Sequence, residues 1–137
     1  MQKKQWSIAI GLCGVIVITI FLAVFLWDEY VQEPSVLFVS STEARIKINE
    51  HQDALILDVR SNAEFISLRI PGSVNIPYTS ISHMQNLLPE DRHTLIFVYC
   101  RTGRRAGIAA NELVGLGYTN IIVFPGMASW DGETITG

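Results

Sequence analysis

Cys100 is the residue whose type and setting best suit chemistry. An apolar, β-prone stretch from Leu95 to Tyr99 ends at this cysteine, and a basic loop containing Gly103 follows and opens a helical pattern. The backbone N–H groups of such a loop and the N-terminus of a helix bind anions. The same loop contributes three arginines, Arg101, Arg104 and Arg105. These features favour a nucleophilic thiolate held beside an anionic substrate.

The residues of this loop also have a purely structural interpretation. An isolated cysteine is often a small buried apolar residue, and the arginines could form a solvated helix start. Cations at a helix N-terminus oppose the helix macrodipole, so a bound anion best explains three of them there. Arg105 begins the helix and is the least suited of the three to contact the anion directly.

The elements around Cys100 must bring it to the edge of a sheet. Strands are predicted over 36–39, 54–59, 74–76, 94–99 and 121–124, and the run 54–59 is apolar enough to be buried on both faces. Helices are predicted after Ser40 or Ser41, after Ser61 through Leu68, over 81–88, and over 104–116 with Gly117 as its C-cap. This alternation predicts an α/β fold, a small parallel sheet flanked by helices, with the ligand at the carboxyl ends of the strands.

Structural roles suit the other polar candidates. Asp58 follows a buried strand, and a buried carboxylate there normally accepts backbone or arginine hydrogen bonds, so Asp58 and Arg60 are predicted to be structural support. Glu64 is three residues after Ser61 and completes a capping box. Phe124 and Trp130 are expected in the core, and the histidines are expected on the surface, at positions 51, 83 and 93.

Cysteine and histidine usage limits the kinds of site. Apart from Cys13 in an apolar N-terminal segment, Cys100 is the only cysteine, so no disulfide can form within the domain. No cysteine–histidine cluster has metal-ligand spacing, and neither a metal nor another cofactor is expected. The net charge of −3 gives no indication of a nucleic acid partner.

The N-terminal segment 6–27 predicts a transmembrane anchor. It contains no charged residue, and as a helix it would reach about 33 Å, enough to cross a hydrocarbon core of about 30 Å. A cleaved signal peptide is the alternative, but its apolar region would be shorter and end in an Ala-x-Ala-like site. Cys13 lacks the small preceding residue of a lipoprotein site and is interpreted as membrane-buried.

Charges on the two flanks of this segment predict its orientation. Lys3 and Lys4 precede it, whereas Asp28, Glu29 and Glu33 follow it, so the N-terminus is expected in the cytoplasm and the domain outside the inner membrane. Trp6 and Trp27 would mark the two interfaces. The expected organisation is a cytoplasmic stub (1–5), an anchor (6–27), a linker (28–35) and one domain (36–137).

Four ordered blocks of residues resemble the rhodanese-like sulfurtransferase domain. The blocks cover nearly all of 36–131 and read Leu57-Asp58-Val59-Arg60 with Glu64-Phe65, then Ile70-Pro71-Gly72-Ser73-Val74-Asn75-Ile76-Pro77, then Tyr99-Cys100-Arg101-Thr102-Gly103-Arg104-Arg105-Ala106, then Leu116-Gly117-Tyr118 with Phe124-Pro125-Gly126-Met127-Ala128-Ser129-Trp130. Two positions depart from the family pattern. Arg69 stands where the family often has histidine, and Pro125 where it often has the first of two glycines.

The resemblance implies persulfide chemistry at Cys100. In this family the cysteine takes the outer sulfur of a donor such as thiosulfate and passes it to a thiol or cyanide. The backbone N–H groups of the loop would cradle the persulfide and its arginines would attract the donor, so the implied substrate-binding residues are Arg101, Thr102, Gly103, Arg104 and Arg105. The resemblance leaves open whether the sulfur acceptor is a protein.

Two other functions compete with sulfur transfer. Phosphatases and arsenate reductases of related fold place an arginine after five residues that follow the cysteine, where this chain has Ala106, so the loop is one residue short. A membrane-tethered rhodanese-like module for binding or redox sensing is the non-enzymatic alternative. Inactive modules typically lose the cysteine, which this chain retains.

Overall fold

The computed structural model of the chain describes residues 16–23 and 33–137. By its internal contacts the chain divides into two compact units, Met1–Glu33 and Pro34–Gly137. In the first unit, residues 16–23 are helical and carry exposed apolar side chains.

The predicted anchor over 6–27 is described only in its middle. Trp6, Cys13 and Trp27 lie outside the described residues. Across 16–23 and 33–137, no helix has both the length and the apolar character that a membrane crossing requires.

The second unit is built on one sheet of five parallel strands, as predicted. The strands are ordered β1-β5-β4-β2-β3, so the central strand β4 has neighbours on both sides. The strand bounds are β1 Ser35–Phe38, β2 Leu55–Asp58, β3 Val74–Asn75, β4 Ile96–Cys100 and β5 Asn120–Gly126. Strand β4 therefore includes Cys100 as its last residue, one position beyond the predicted strand end.

Three α-helices flank the sheet, namely α1 Ser41–Glu50, α2 Asn62–Ser67 and α3 Arg104–Gly115. The predicted capping box of α2 is present, since Ser61 accepts from the backbone of Glu64 and the Glu64 carboxylate accepts from the backbone of Ser61. Helix α1 begins with a second capping box of the same kind, formed by Ser40 and Glu43. Both boxes satisfy backbone N–H groups that a helix start leaves unpaired.

The end of α3 shows why a glycine follows it. Gly117 has φ of 91°, its N–H donates to Val114, and the N–H of Tyr118 donates to Leu113. This is a Schellman motif, which needs a left-handed residue at that position.

The predicted helix over 81–88 is wrong. Two 3₁₀ turns, Ile81–His83 and Gln85–Leu87, occupy this stretch. Its polar side chains bond locally instead of supporting a helix, because the Gln85 amide donates to the backbone of Ser82. Such side-chain competition with the backbone weakens an α-helix.

The core has two halves, one on each face of the sheet, and β4 contributes to both. Ile96, Val98 and Cys100 pack on the face covered by α3. Phe97 and Tyr99 pack on the opposite face. Because side chains alternate along a strand, Cys100 projects toward α3, whose buried residues are Ala106, Ala109, Ala110 and Leu113.

Candidate functional site

The candidate site is built where β4 ends and α3 begins. Cys100 is 1% exposed, and its Sγ accepts a hydrogen bond of 3.1 Å from the backbone N–H of Gly103. The strand thus ends with the sulfur directed at the backbone of the loop that follows it. An N–H donor at a helix start is the arrangement by which proteins bind anions, so the loop is shaped to receive an anionic substrate.

Gly103 gives the loop its turn. Its φ of 96° is left-handed and it occupies the N-cap position of α3 without a side-chain hydrogen bond. Its carbonyl accepts the first helical bond, from the N–H of Gly107. A residue with a side chain would be strained at this φ. The chain therefore reverses tightly and leaves the helix start facing the sulfur.

Two backbone bonds hold the loop to the segment after β5. The N–H of Met127 donates to the carbonyl of Cys100, and the N–H of Ala128 donates to the carbonyl of Arg101. The ladder between β4 and β5 shifts register here, pairing Cys100 with Gly126 after Tyr99 has paired with Phe124. Pro125 is the extra residue of this bulge, a place where the missing N–H of proline is tolerated.

Arg105 is the loop arginine whose side chain turns inward. Its two Nη atoms donate to the two carboxylate oxygens of Glu64, at 2.8 and 2.9 Å. The pKa of Arg105 is raised, chiefly by its hydrogen bond to Glu64, with a smaller contribution from Cys100. The hydrogen bond from Arg105 is also the main reason why the pKa of Glu64 falls to about 2. The two charges therefore stabilise each other at the start of α3.

The remaining loop side chains have a different setting. Arg101, Thr102 and Arg104 are exposed. In the part of the chain that the structure describes, none of the three side chains forms a hydrogen bond. Of the five predicted substrate-binding residues, the fold brings the Gly103 N–H to the sulfur, pairs Arg105 with Glu64, and leaves these three at the surface of the loop.

Glu64 is the site residue that sequence reasoning missed. The sequence predicts a capping role for Glu64, and Glu64 does complete the box with Ser61. Its second role depends on Arg105, which is 41 positions away. The available signal was charge complementarity, because three loop cations need compensation somewhere, but that signal does not choose among the acidic residues.

Asp58 and Arg60 form a buried ion pair beside the sheet. Asp58 is fully buried and Arg60 is 5% exposed. The Arg60 guanidinium donates to both Asp58 oxygens and to the carbonyl of Leu68. The side chain of Asn75 donates to the carbonyls of Asp58 and Arg60. These contacts join the end of β2 to the segment after α2, and so help to place the helix that carries Glu64.

The other predicted positions lie away from the sulfur contacts. Phe124 is buried and stacks on Tyr99 with ring centroids 5.4 Å apart, and Trp130 packs against Phe124 at 5.7 Å. Arg69, which departs from the family pattern, pairs with Ile135 in an isolated antiparallel bridge. The three histidines are exposed. Over 16–23 and 33–137, no cluster of three or more His, Cys, Asp or Glu side chains could hold a metal.

Comparison with known proteins agrees with this arrangement. The model of the Rhodanese-like domain matches residues 40–133. The Bacillus subtilis protein YrkF is 36% identical over 89 residues, which is 64% of this chain and 47% of YrkF, so the chain spans about half of that relative. The thiosulfate:glutathione sulfurtransferase of Saccharomyces cerevisiae is 31% identical over 99 residues, covering 63% of this chain and 70% of the yeast protein.

A solved structure shows the same fold. The rhodanese-related protein of Thermoplasma volcanium is 25% identical, with a TM-score of 0.63, and the match covers 74% of this chain and 99% of that one. The family match includes the whole segment from α1 to the loop after β5, with Cys100 inside it. The chain belongs to the rhodanese-like domain family.

Proposed function

We propose that this protein is a sulfurtransferase that carries sulfane sulfur on Cys100. The observation that carries the proposal is the 3.1 Å hydrogen bond from the Gly103 N–H to Sγ at the start of α3. A thiolate is the nucleophilic form of cysteine, and this donor also suits the terminal sulfur of a persulfide. The name of the yeast relative supports the same reaction class.

The proposed reaction has two displacements at sulfur. The Cys100 thiolate attacks the outer sulfur of thiosulfate, the new S–S bond forms, the old S–S bond breaks, and sulfite leaves with the bonding electron pair. Cyanide or a thiolate then attacks the terminal sulfur of the persulfide and leaves Cys100 as the thiolate. Two separate displacements replace one difficult transfer, and neither requires a general base.

Mass spectrometry of the purified full chain tests the proposal. In a Cys13→Ala background Cys100 is the only thiol, so thiosulfate should add one sulfur atom and cyanide should remove it with formation of thiocyanate. Cys100→Ser in the same background should do neither. Substantial thiocyanate formation by that variant would refute Cys100 as the carrier.

A binding or redox-sensing module is the second candidate. Cys100 is only 1% exposed, so a sulfur donor would have to reach a covered sulfur. This burial favours the module. The two functions differ in turnover. A sulfurtransferase forms thiocyanate repeatedly from thiosulfate and cyanide, whereas a module would bind a partner protein and give at most one Cys100-dependent modification per chain.

We further propose that residues 6–27 anchor the protein in the inner membrane with the domain outside the cytoplasm. The support is the uncharged run and the charge difference between its flanks. Asn111 is exposed on α3, so a Cys100→Ser, Asn111→Cys chain offers an accessible thiol. An impermeant maleimide should label it in intact spheroplasts of an expressing bacterium. Labelling only after permeabilisation would show that the domain lies on the cytoplasmic side of the membrane.

A further inference from the structure

Glu64 places a negative charge at the rim of the site. Its two carboxylate oxygens accept hydrogen bonds from the two Nη atoms of Arg105. This bidentate geometry strengthens arginine–carboxylate contacts. The Arg105 and Glu64 side chains are 23% and 35% exposed. A small solute that approaches Arg105 therefore meets the Glu64 carboxylate as well.

The pair changes the charge that a sulfur donor encounters. Arg105 is the second residue of the helix whose N-cap, Gly103, donates to the sulfur, yet its charge is balanced by Glu64. The exposed cations Arg101 and Arg104 can draw an anion to the loop, but the guanidinium of Arg105 has no surplus charge to offer. A donor with two negative charges gains less here than it would from an uncompensated arginine, because Coulomb terms of opposite sign nearly cancel at similar distances.

We propose that Glu64 is a positioning residue that selects the sulfur donor, favouring organic hydropersulfides over thiosulfate. The inference rests on the proposed function. The outer sulfur of a hydropersulfide is uncharged in the protonated form that a thiolate can attack, whereas thiosulfate brings two charges to the same place. Glu64 acts by neutralising Arg105 and by repelling a dianion directly.

The favoured step balances without any further reactant. The Cys100 thiolate attacks the outer sulfur of the hydropersulfide and forms a new S–S bond. The S–S bond of the donor breaks, and the organic thiolate leaves with the electron pair. The proton stays on the transferred sulfur, and Cys100 holds a persulfide. With thiosulfate the leaving group is sulfite, so the two donors differ in charge and leaving group but use the same nucleophile.

This shared nucleophile gives the experiment its design. Changing Glu64 can alter the reactivity of Cys100, but that change affects both donors and cancels in the ratio of their kcat/KM values. Glu64→Gln removes the charge and keeps a side chain that can complete the capping box. Glu43→Gln is the matched control, since Glu43 forms the same box with Ser40 at α1.

The assay uses the full chain with glutathione persulfide or thiosulfate as donor and cyanide as acceptor. Glu64→Gln should raise kcat/KM for thiosulfate relative to glutathione persulfide by about tenfold, mainly through a lower KM for thiosulfate. Its thiosulfate KM should also rise more steeply with added salt than that of the wild type, because the site has gained net positive charge. Glu43→Gln should leave the ratio unchanged.

A charge-conserving variant separates selection from folding. Glu64→Asp keeps the negative charge and should retain the donor ratio of the wild type even where total activity falls. An unchanged ratio in Glu64→Gln, or the same change in Glu64→Asp as in Glu64→Gln, would overturn the role of the charge while leaving sulfur transfer intact. A wild-type protein that accepts sulfur from neither donor would instead overturn the proposed function, and the inference with it.

Discussion

The backbone of Gly126 lies against the carbonyl oxygen of Cys100. A Cβ atom at position 126 would come within 2.5 Å of that oxygen and 2.7 Å of the Tyr99 ring, and φ at this glycine is 80°. The residue therefore has no room for a side chain, and its backbone conformation suits glycine. The close approach sets the distance between β5 and the last residue of β4.

Gly126→Ala should destabilise the fold by about 3 kcal/mol, because it adds a left-handed penalty to a steric conflict in a packed region. Gly72→Ala is the control, since Gly72 has φ of 75° but nothing within 4 Å of the added carbon. Urea unfolding of both variants separates the two costs. Equal losses in the free energy of unfolding would show that the steric conflict with Cys100 adds no cost beyond that of the left-handed backbone.

Removing one partner of the Asp58–Arg60 pair should cost about 3–5 kcal/mol, because the other charge is left buried. We expect Asp58→Ala and Arg60→Met each to show this loss in urea unfolding. The double variant should lose less than the sum of the single losses. Strict additivity would mean that the two side chains are not energetically coupled, despite their contact distance of 2.6 Å.

Glu64 should make stability depend on pH in the acid range. Its pKa falls from the ordinary value of 4.5 to about 2 in the folded chain, so the ionised carboxylate stabilises the fold above about pH 4.5 and this contribution is lost as the pH falls toward 2. Because the pair is partly exposed, we expect Glu64→Gln to be about 1 kcal/mol less stable than the wild type at pH 7. The difference should shrink by pH 3. A pH-independent difference would contradict this assignment.

The short loop should exclude phosphoryl chemistry. A phosphoryl group has three equatorial oxygens and needs a ring of N–H donors with an arginine that closes it. That ring must be wider than the one that holds the terminal sulfur of a persulfide. The wild type should be almost inert toward aryl phosphates. Inserting one glycine between Gly103 and Arg104 would move Arg105 to the position of Ala106, and should weaken sulfur transfer while improving arsenate binding measured by calorimetry. Cys100-dependent phosphatase turnover of the unmodified chain, at rates that match sulfur transfer, would refute the argument from loop length.

Features set by neighbouring residues could be predicted from the sequence. The Ser61–Glu64 box, the glycine that ends α3 and the strand that leads to Cys100 each depend on a few consecutive side chains, and the parallel sheet follows from their alternation. The helix predicted over 81–88 is replaced by two 3₁₀ turns, in which the Gln85 side chain bonds to the local backbone. The carboxylate of Glu112, which takes the Ser82 N–H, comes from a distant helix and leaves no trace in the local pattern.

Contacts between distant residues could not be predicted in the same way. The Glu64–Arg105 pair and the approach of Gly126 to Cys100 depend on how α2 and β5 pack against the loop. The register shift at Tyr99 and Cys100 likewise depends on two strands that meet only in the folded sheet. Local patterns therefore indicate the candidate nucleophile and its loop, while the charges around Cys100 can be placed only from the tertiary structure.

The strand order also determines when the sheet can be completed during synthesis. Among the strands that the structure describes, β1 pairs only with β5, from Ser35 with Asn120 to Phe38 with Val123, so β1 is synthesised long before its partner. β2 and β4 can pair earlier, but the other edge of β4 stays unpaired until β5 is synthesised. Pairings this distant in sequence slow folding. A nascent chain therefore leaves one edge of the cysteine-bearing strand unpaired until β5 emerges.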